Sequence, residues 1–185
     1  MKTNYFIFFF LCFSLLSNSQ NKQELINNKL DSLLMVSRTK ADKVMAHFDS
    51  LHTSKLLYSL DDEFYYLIFR KKSSYEEYYI VTDSSGNVCE IHHIVIDKPT
   101  KKQLSQINPF DLSQYHKDYV VKIDDSKFVR GGPSYFVVKD TNGNRYGEYR
   151  LASLTLPSPI NGKLLGYLQR NLSKHIPYNP NINPR

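Results

Sequence analysis

Val81-Thr82-Asp83-Ser84-Ser85-Gly86-Asn87 and Val138-Lys139-Asp140-Thr141-Asn142-Gly143-Asn144 carry valine, aspartate, glycine and asparagine at matching positions. An aspartate accepts hydrogen bonds from the backbone ahead of it, and glycine and asparagine tolerate positive φ, so both segments read as tight turns. Strand-like runs flank each one. Tyr75 to Thr82 and Val88 to Ile96 surround the first, and Tyr135 to Lys139 and Arg145 to Leu154 surround the second. Their β-branched and aromatic residues predict two antiparallel hairpins. Shared turn chemistry accounts for the likeness without an internal duplication.

Working outward, Glu63 to Arg70 is apolar on both alternating faces and ends in Lys71-Lys72-Ser73-Ser74, the pattern of a central strand and a polar turn. Tyr119 to Ile123 reads as a further strand, and Arg130-Gly131-Gly132-Pro133-Ser134 as a loop before the second hairpin. Between the hairpins, Thr100 to Ile107 predicts a short helix, ended by Asn108-Pro109 because a residue before proline avoids helical geometry.

Helical periodicity brackets the strands. From Gln23 to Leu51 one stripe holds Ile26, Leu30, Leu33, Ser37, Ala41, Val44, Phe48 and Leu51, giving one helix, or two with a break near Ser37-Arg38-Thr39. Near the other end, Ser158-Pro159 supplies a cap-then-proline start. Ile160, Leu164, Leu168, Leu172 and Ile176 follow at four-residue spacing until Pro177. The expected fold is therefore α+β. An antiparallel, hairpin-rich sheet of five to six strands is packed by an N-terminal and a C-terminal amphipathic helix, with the helices on one face.

The first residues are a separate matter. Met1-Lys2-Thr3-Asn4 carries one positive charge, Tyr5 to Leu16 is apolar apart from Ser14, and Ser17-Asn18-Ser19 is a small-x-small exit. This resembles a secretory signal peptide and is too short for a spanning helix. Cys12 follows Phe9-Phe10-Leu11 rather than small residues, which argues against lipid attachment. The expectation is cleavage after Ser19, one α+β domain over 20–176, a loose tail over 177–185, and export to the periplasm or the extracellular space. Asp31-Ser32-Leu33 and Asp49-Ser50-Leu51 also resemble a short O-glycosylation signal of some exported bacterial proteins.

Composition narrows the chemistry. A net charge of +6 falls short of the dense basic patches of nucleic-acid binders. Losing residues 1–19 would leave a lone cysteine, Cys89, expected as a small core residue rather than a reactive thiol, so packing and not disulfides must hold the fold. Fourteen tyrosines without any tryptophan suit a half-exposed sheet, or a tyrosine-rich interaction face.

Glu90-Ile91-His92-His93 is where acid and imidazole cluster. Strand alternation puts Glu90 and His92 on one face and Cys89 and His93 on the other. With a basic neighbour such as Arg130, Glu90 and His92 have the acid–base character of a small secreted hydrolase, for example a nuclease. No metal centre is expected: Cys89 and His92 diverge, Arg145 stands where a calcium loop over 140–144 needs glycine, and Glu148 comes too early to close it. No cofactor motif is present. The preferred expectation is a small exported, non-catalytic interaction module, such as an inhibitor or immunity protein, meeting another protein or an acidic polymer. The surface expected to meet it is a tyrosine-rich sheet face or the Arg130-Gly131-Gly132-Pro133 loop. The basic knots Arg70-Lys71-Lys72 and Lys98 with Lys101-Lys102 read as a solvated face, and point to an acidic partner only if they converge in space.

Overall fold

The computed structural model describes residues 31–49, 53–71, 74–111, 134–151 and 160–176. The signal-like segment, the strand over 119–123, Arg130 with its glycine loop, Ser158-Pro159 and the tail lie outside them. The chain divides into two compact units, residues 1–36 and 37–185. Of the first, 31–36 are described, and they are helical. Helix α1 runs uninterrupted over residues 31–46, so the expected break at Ser37-Arg38-Thr39 is not there.

Six strands make one open antiparallel sheet: β1 Lys55–Leu60, β2 Phe64–Lys71, β3 Ser74–Thr82, β4 Val88–Ile94, β5 Ser134–Lys139 and β6 Arg145–Leu151. Their order is β4-β3-β2-β1-β5-β6. The first four strands form a meander. The chain then passes through α2, Lys98–Ile107, and sets the β5–β6 hairpin against the free side of β1 before ending in α3, Gly162–Ser173.

The central strand, β1, is the one the sequence reading left unassigned. It is buried on both faces, and such strands read as continuous apolar runs. Here Lys55 and Ser59 interrupt the run, although both are buried. Lys55 reaches Asp49 at 2.9 Å. β1 passes to β2 through Asp61-Asp62-Glu63, where Asp61 (φ 58) and Asp62 (φ 53) both adopt the left-handed conformation. Aspartate tolerates that region better than most residues.

Both sheet faces are covered, which corrects the expectation of helices on one face. Alternation sends Leu56, Tyr58, Tyr66, Ile68, Phe136 and Val138 into a cluster with Leu104 of α2 and Leu164, Tyr167, Leu168 and Leu172 of α3. The intervening residues face α1 and the turn after it, where Ala41, Val44, Met45 and Phe48 are buried. The Phe48 ring lies 5.2 Å from Phe69 and 5.2 Å from Tyr78. Tyr58, Tyr65, Tyr66, Tyr79, Tyr135 and Tyr167 are consequently buried, and these six belong to the core.

Both helix caps are local. Asp97 accepts from the Thr100 amide at 2.8 Å and α2 ends at left-handed Asn108, before Pro109 as expected. Asn161 caps α3 by accepting from the Lys163 amide at 2.9 Å.

The two hairpin turns have the same bonding. Asp83 accepts from the Ser85 and Asn87 amides at 2.9 and 2.8 Å, and Asp140 from those of Asn142 and Asn144, each at 2.8 Å. Gly86 (φ 79) and Gly143 (φ 83) take the positive-φ position. Only their surroundings differ. A Cβ on Gly86 would meet Lys40 of α1 at 2.7 Å from its Cγ and 3.2 Å from its Cα, whereas one on Gly143 has nothing within 4 Å. Gly143→Ala should therefore cost about 1 kcal/mol, from backbone conformation alone. Gly86→Ala should cost roughly 2–3 kcal/mol by adding a clash with the base of the Lys40 side chain and a tight approach to its Cα. Urea denaturation of both variants measures the difference; equal costs would mean that α1 does not press on the first turn.

Candidate functional site

Glu90 and His92 do meet. His92 Nε2 and Glu90 Oε2 are 2.8 Å apart, on side chains 56% and 59% exposed. The imidazole stacks on Tyr79 (5.9 Å, 24°), and His175 after α3 stacks on Tyr79 as well (5.1 Å, 25°). Burial and the charges of Lys174 and His92 hold the His175 imidazole below the ordinary histidine value. The pair lies on β4, an edge strand of the sheet whose residues 89–93 are all exposed. Both side chains are more than half exposed, on the sheet face where Tyr79 also meets His175. Arg130, the basic neighbour expected for the dyad, lies outside the described residues.

Cys89 departs from its expected place in the core and is exposed. The β3–β4 register shifts between Val81 and Thr82, pairing them with Glu90 and Val88 and leaving Cys89 in a bulge. Its thiol points to the Asn87 carbonyl at 3.7 Å.

Two polar clusters escaped the sequence reading because their members are far apart in the chain. On the α1 face, Ser37 Oγ donates to Asp62 Oδ2 (2.8 Å) and accepts from Arg150 Nε (2.9 Å). Nearby, Arg38 grips Glu148 at 2.9 and 2.5 Å, and Tyr135 donates to the same carboxylate at 2.5 Å. Asp42 pairs with Lys139 at 2.9 Å and with Arg145. Burial works to raise the Glu148 and Asp42 carboxyls, but hydrogen bonds and cationic neighbours outweigh it and hold both below the usual range. These ties fasten α1 to the β5–β6 hairpin. Ser37, a polar residue inside an apolar stripe, was the one visible signal.

On the opposite face Glu77, 1% exposed, accepts hydrogen bonds from Tyr66 (2.5 Å) and Tyr167. Burial raises the Glu77 carboxyl and both phenols above their ordinary values. This site is closed to solvent and joins β2, β3 and α3.

A surface cleft of about 450 Å³ is lined by residues of α2 and α3: Gln103, Gln106 and Ile107 of the first and Gly162, Lys163 and Arg170 of the second. The two helices carry Lys98, Lys101, Lys102, Lys163 and Arg170 and no acidic residue. Among the described residues none of these five cations is in an ion pair, in contrast to Arg38, Lys139 and Arg145 on the α1 face. Two amides and two cations around an open cleft suit a carboxylate, sulfate or phosphate group. Sequence distance hid the cleft; the lack of acids in either helix was the available sign.

Among the described residues no helix is long and apolar enough to cross a membrane, and no three histidine, cysteine or acidic side chains converge as a metal site. Comparison with protein-family models, curated proteins and solved structures finds no match to this chain.

Proposed function

We propose that this protein is an exported, non-catalytic binding module that receives an acidic partner, protein or polymer, on the basic surface of α2 and α3. The observation that carries the reading is the acid-free pair of helices around the cleft that Lys163 and Arg170 line. Cations with no ion-pair partner among the described residues raise the local concentration of anions and strengthen an acidic contact. The N-terminal run over 1–19 supports export, and an inhibitor or immunity protein is one form the module can take. The expected experiment compares binding to immobilised polyglutamate. Lys163→Glu/Arg170→Glu should lose at least about tenfold in affinity, while the charge-matched Arg70→Glu/Lys71→Glu, at the end of β2, loses little. Equal losses would reduce the effect to net charge and remove the site.

The 2.8 Å Glu90–His92 contact favours one alternative, a secreted hydrolase using that dyad. His92→Ala separates the two readings. A folded variant that loses a hydrolytic activity present in the parent would establish the enzyme; unchanged polyglutamate binding is expected of the binder.

A further inference from the structure

We propose that β4 is also a self-association edge, through which two copies of this chain pair their sheets antiparallel about a two-fold axis at Ile91. The inference is independent of the basic cleft. β4 ends the sheet, and among the described residues no strand pairs with its outer side. Its residues 89–93 are exposed, with Ile91 43% exposed and Val95 just beyond it 87% exposed. An unpaired edge bearing apolar side chains is a ready template for another strand.

Side-chain chemistry selects a second copy as the occupant. A two-fold axis perpendicular to the sheet keeps each face continuous, so the axis must pass through a residue, and residues equidistant from it face one another. Centring on Glu90 opposes glutamate to glutamate. Centring on His92 sets Glu90 against Ile94, and centring on His93 sets His92 against Ile94. Centring on Ile91 alone is complementary: Glu90 faces His92 of the second copy, His92 faces its Glu90, and isoleucine faces isoleucine. The 2.8 Å contact within one chain shows that glutamate and imidazole already lie side by side on one face. In the pair, the two glutamates and two imidazoles form a closed ring. The bulge at Cys89 ends the flat edge, which keeps the ladder short and leaves these side chains to set its register.

Sedimentation velocity of the intact protein should show a reversible dimer. Glu90→Lys, which removes the carboxylate that meets the second copy's His92, and His92→Glu, which opposes glutamate to glutamate, should each weaken it about tenfold, with unchanged circular dichroism. An equimolar mixture of the two should recover the parental affinity, because the introduced lysine meets the introduced glutamate while native His92 meets native Glu90. A parent that stays monomeric at the highest attainable concentration, or a mixture no tighter than either variant, overturns the proposal. Should either variant misfold, cross-linking decides. In a Cys89→Ser background, Ile91→Cys should form an intermolecular disulfide under mild oxidation and His93→Cys should not; equal cross-linking of both also overturns it.

Discussion

Phe48→Ala should lower stability by about 3–5 kcal/mol, a large part of the 5–15 kcal/mol that holds a typical domain. The ring is 7% exposed and packs between Phe69 and Tyr78, each 5.2 Å away, where the turn after α1 meets β2 and β3. Truncation removes the apolar area and leaves a cavity that the rigid sheet cannot collapse into. Since residues 37–48 touch the sheet through few large side chains, Ala41, Val44 and Met45 cannot compensate. Ile91→Ala, at 43% exposure, should change stability of the monomer by less than about 0.5 kcal/mol. Urea denaturation measures both. A Phe48→Ala loss within 1 kcal/mol of the Ile91→Ala value would mean that this face of the sheet is not closed by α1.

The second large effect belongs to Glu77. Glu77→Leu should cost roughly 2–4 kcal/mol, because the hydroxyls of Tyr66 and Tyr167 lose their acceptor in a buried site. Glu77→Gln keeps an acceptor and removes the charge, so it should match or exceed the parent at neutral pH. The reason is linkage. Burial raises the Glu77 carboxyl above its ordinary value, so the folded chain holds this proton more tightly than the unfolded one. This contribution is fully present below the unfolded value, about 4.3, and is lost as pH rises through the higher folded value. Asp61, raised by burial and by the charges of Glu63 and Asp62, acts in the same direction. His175 opposes it on acidification, and Glu148 and Asp42 oppose it at lower pH still, since their folded values are depressed. Subtracting the Glu77→Gln profile from that of the parent isolates the one group. Thermal melts from pH 7 to pH 4.5 should show the parent gaining on Glu77→Gln as pH falls; a constant gap would refute the buried-charge account.

How much of this was legible follows from where each signal resides. Both hairpin turns could be read because aspartate, glycine and asparagine act within a few residues of one another. The shared face of Glu90 and His92 followed from alternation in the same way. β1 was missed because the groups that make Lys55 and Ser59 tolerable in a central strand, Asp49 and the neighbouring strands, are supplied by the fold. Cys89 was misplaced because a bulge breaks the alternation at that residue. The start of α3 moved to Asn161-Gly162, a cap visible only once its side chain is seen to accept from Lys163. Covering helices on both faces were hinted at by the unbroken run over Phe64 to Phe69, which no half-exposed strand would show. The cleft had no contiguous trace, since Gln103 and Arg170 meet only after α2 and α3 pack on the same face.

An acidic partner seated on α2 and α3, as proposed, would shift the amides beneath it. Amide chemical-shift mapping of the intact protein, titrated with polyglutamate, addresses this directly. Salt-sensitive perturbations should concentrate at Gln103, Gln106, Lys163 and Arg170. Perturbations centred on Glu90 and His92, or scattered evenly over every lysine and arginine, would contradict the proposal.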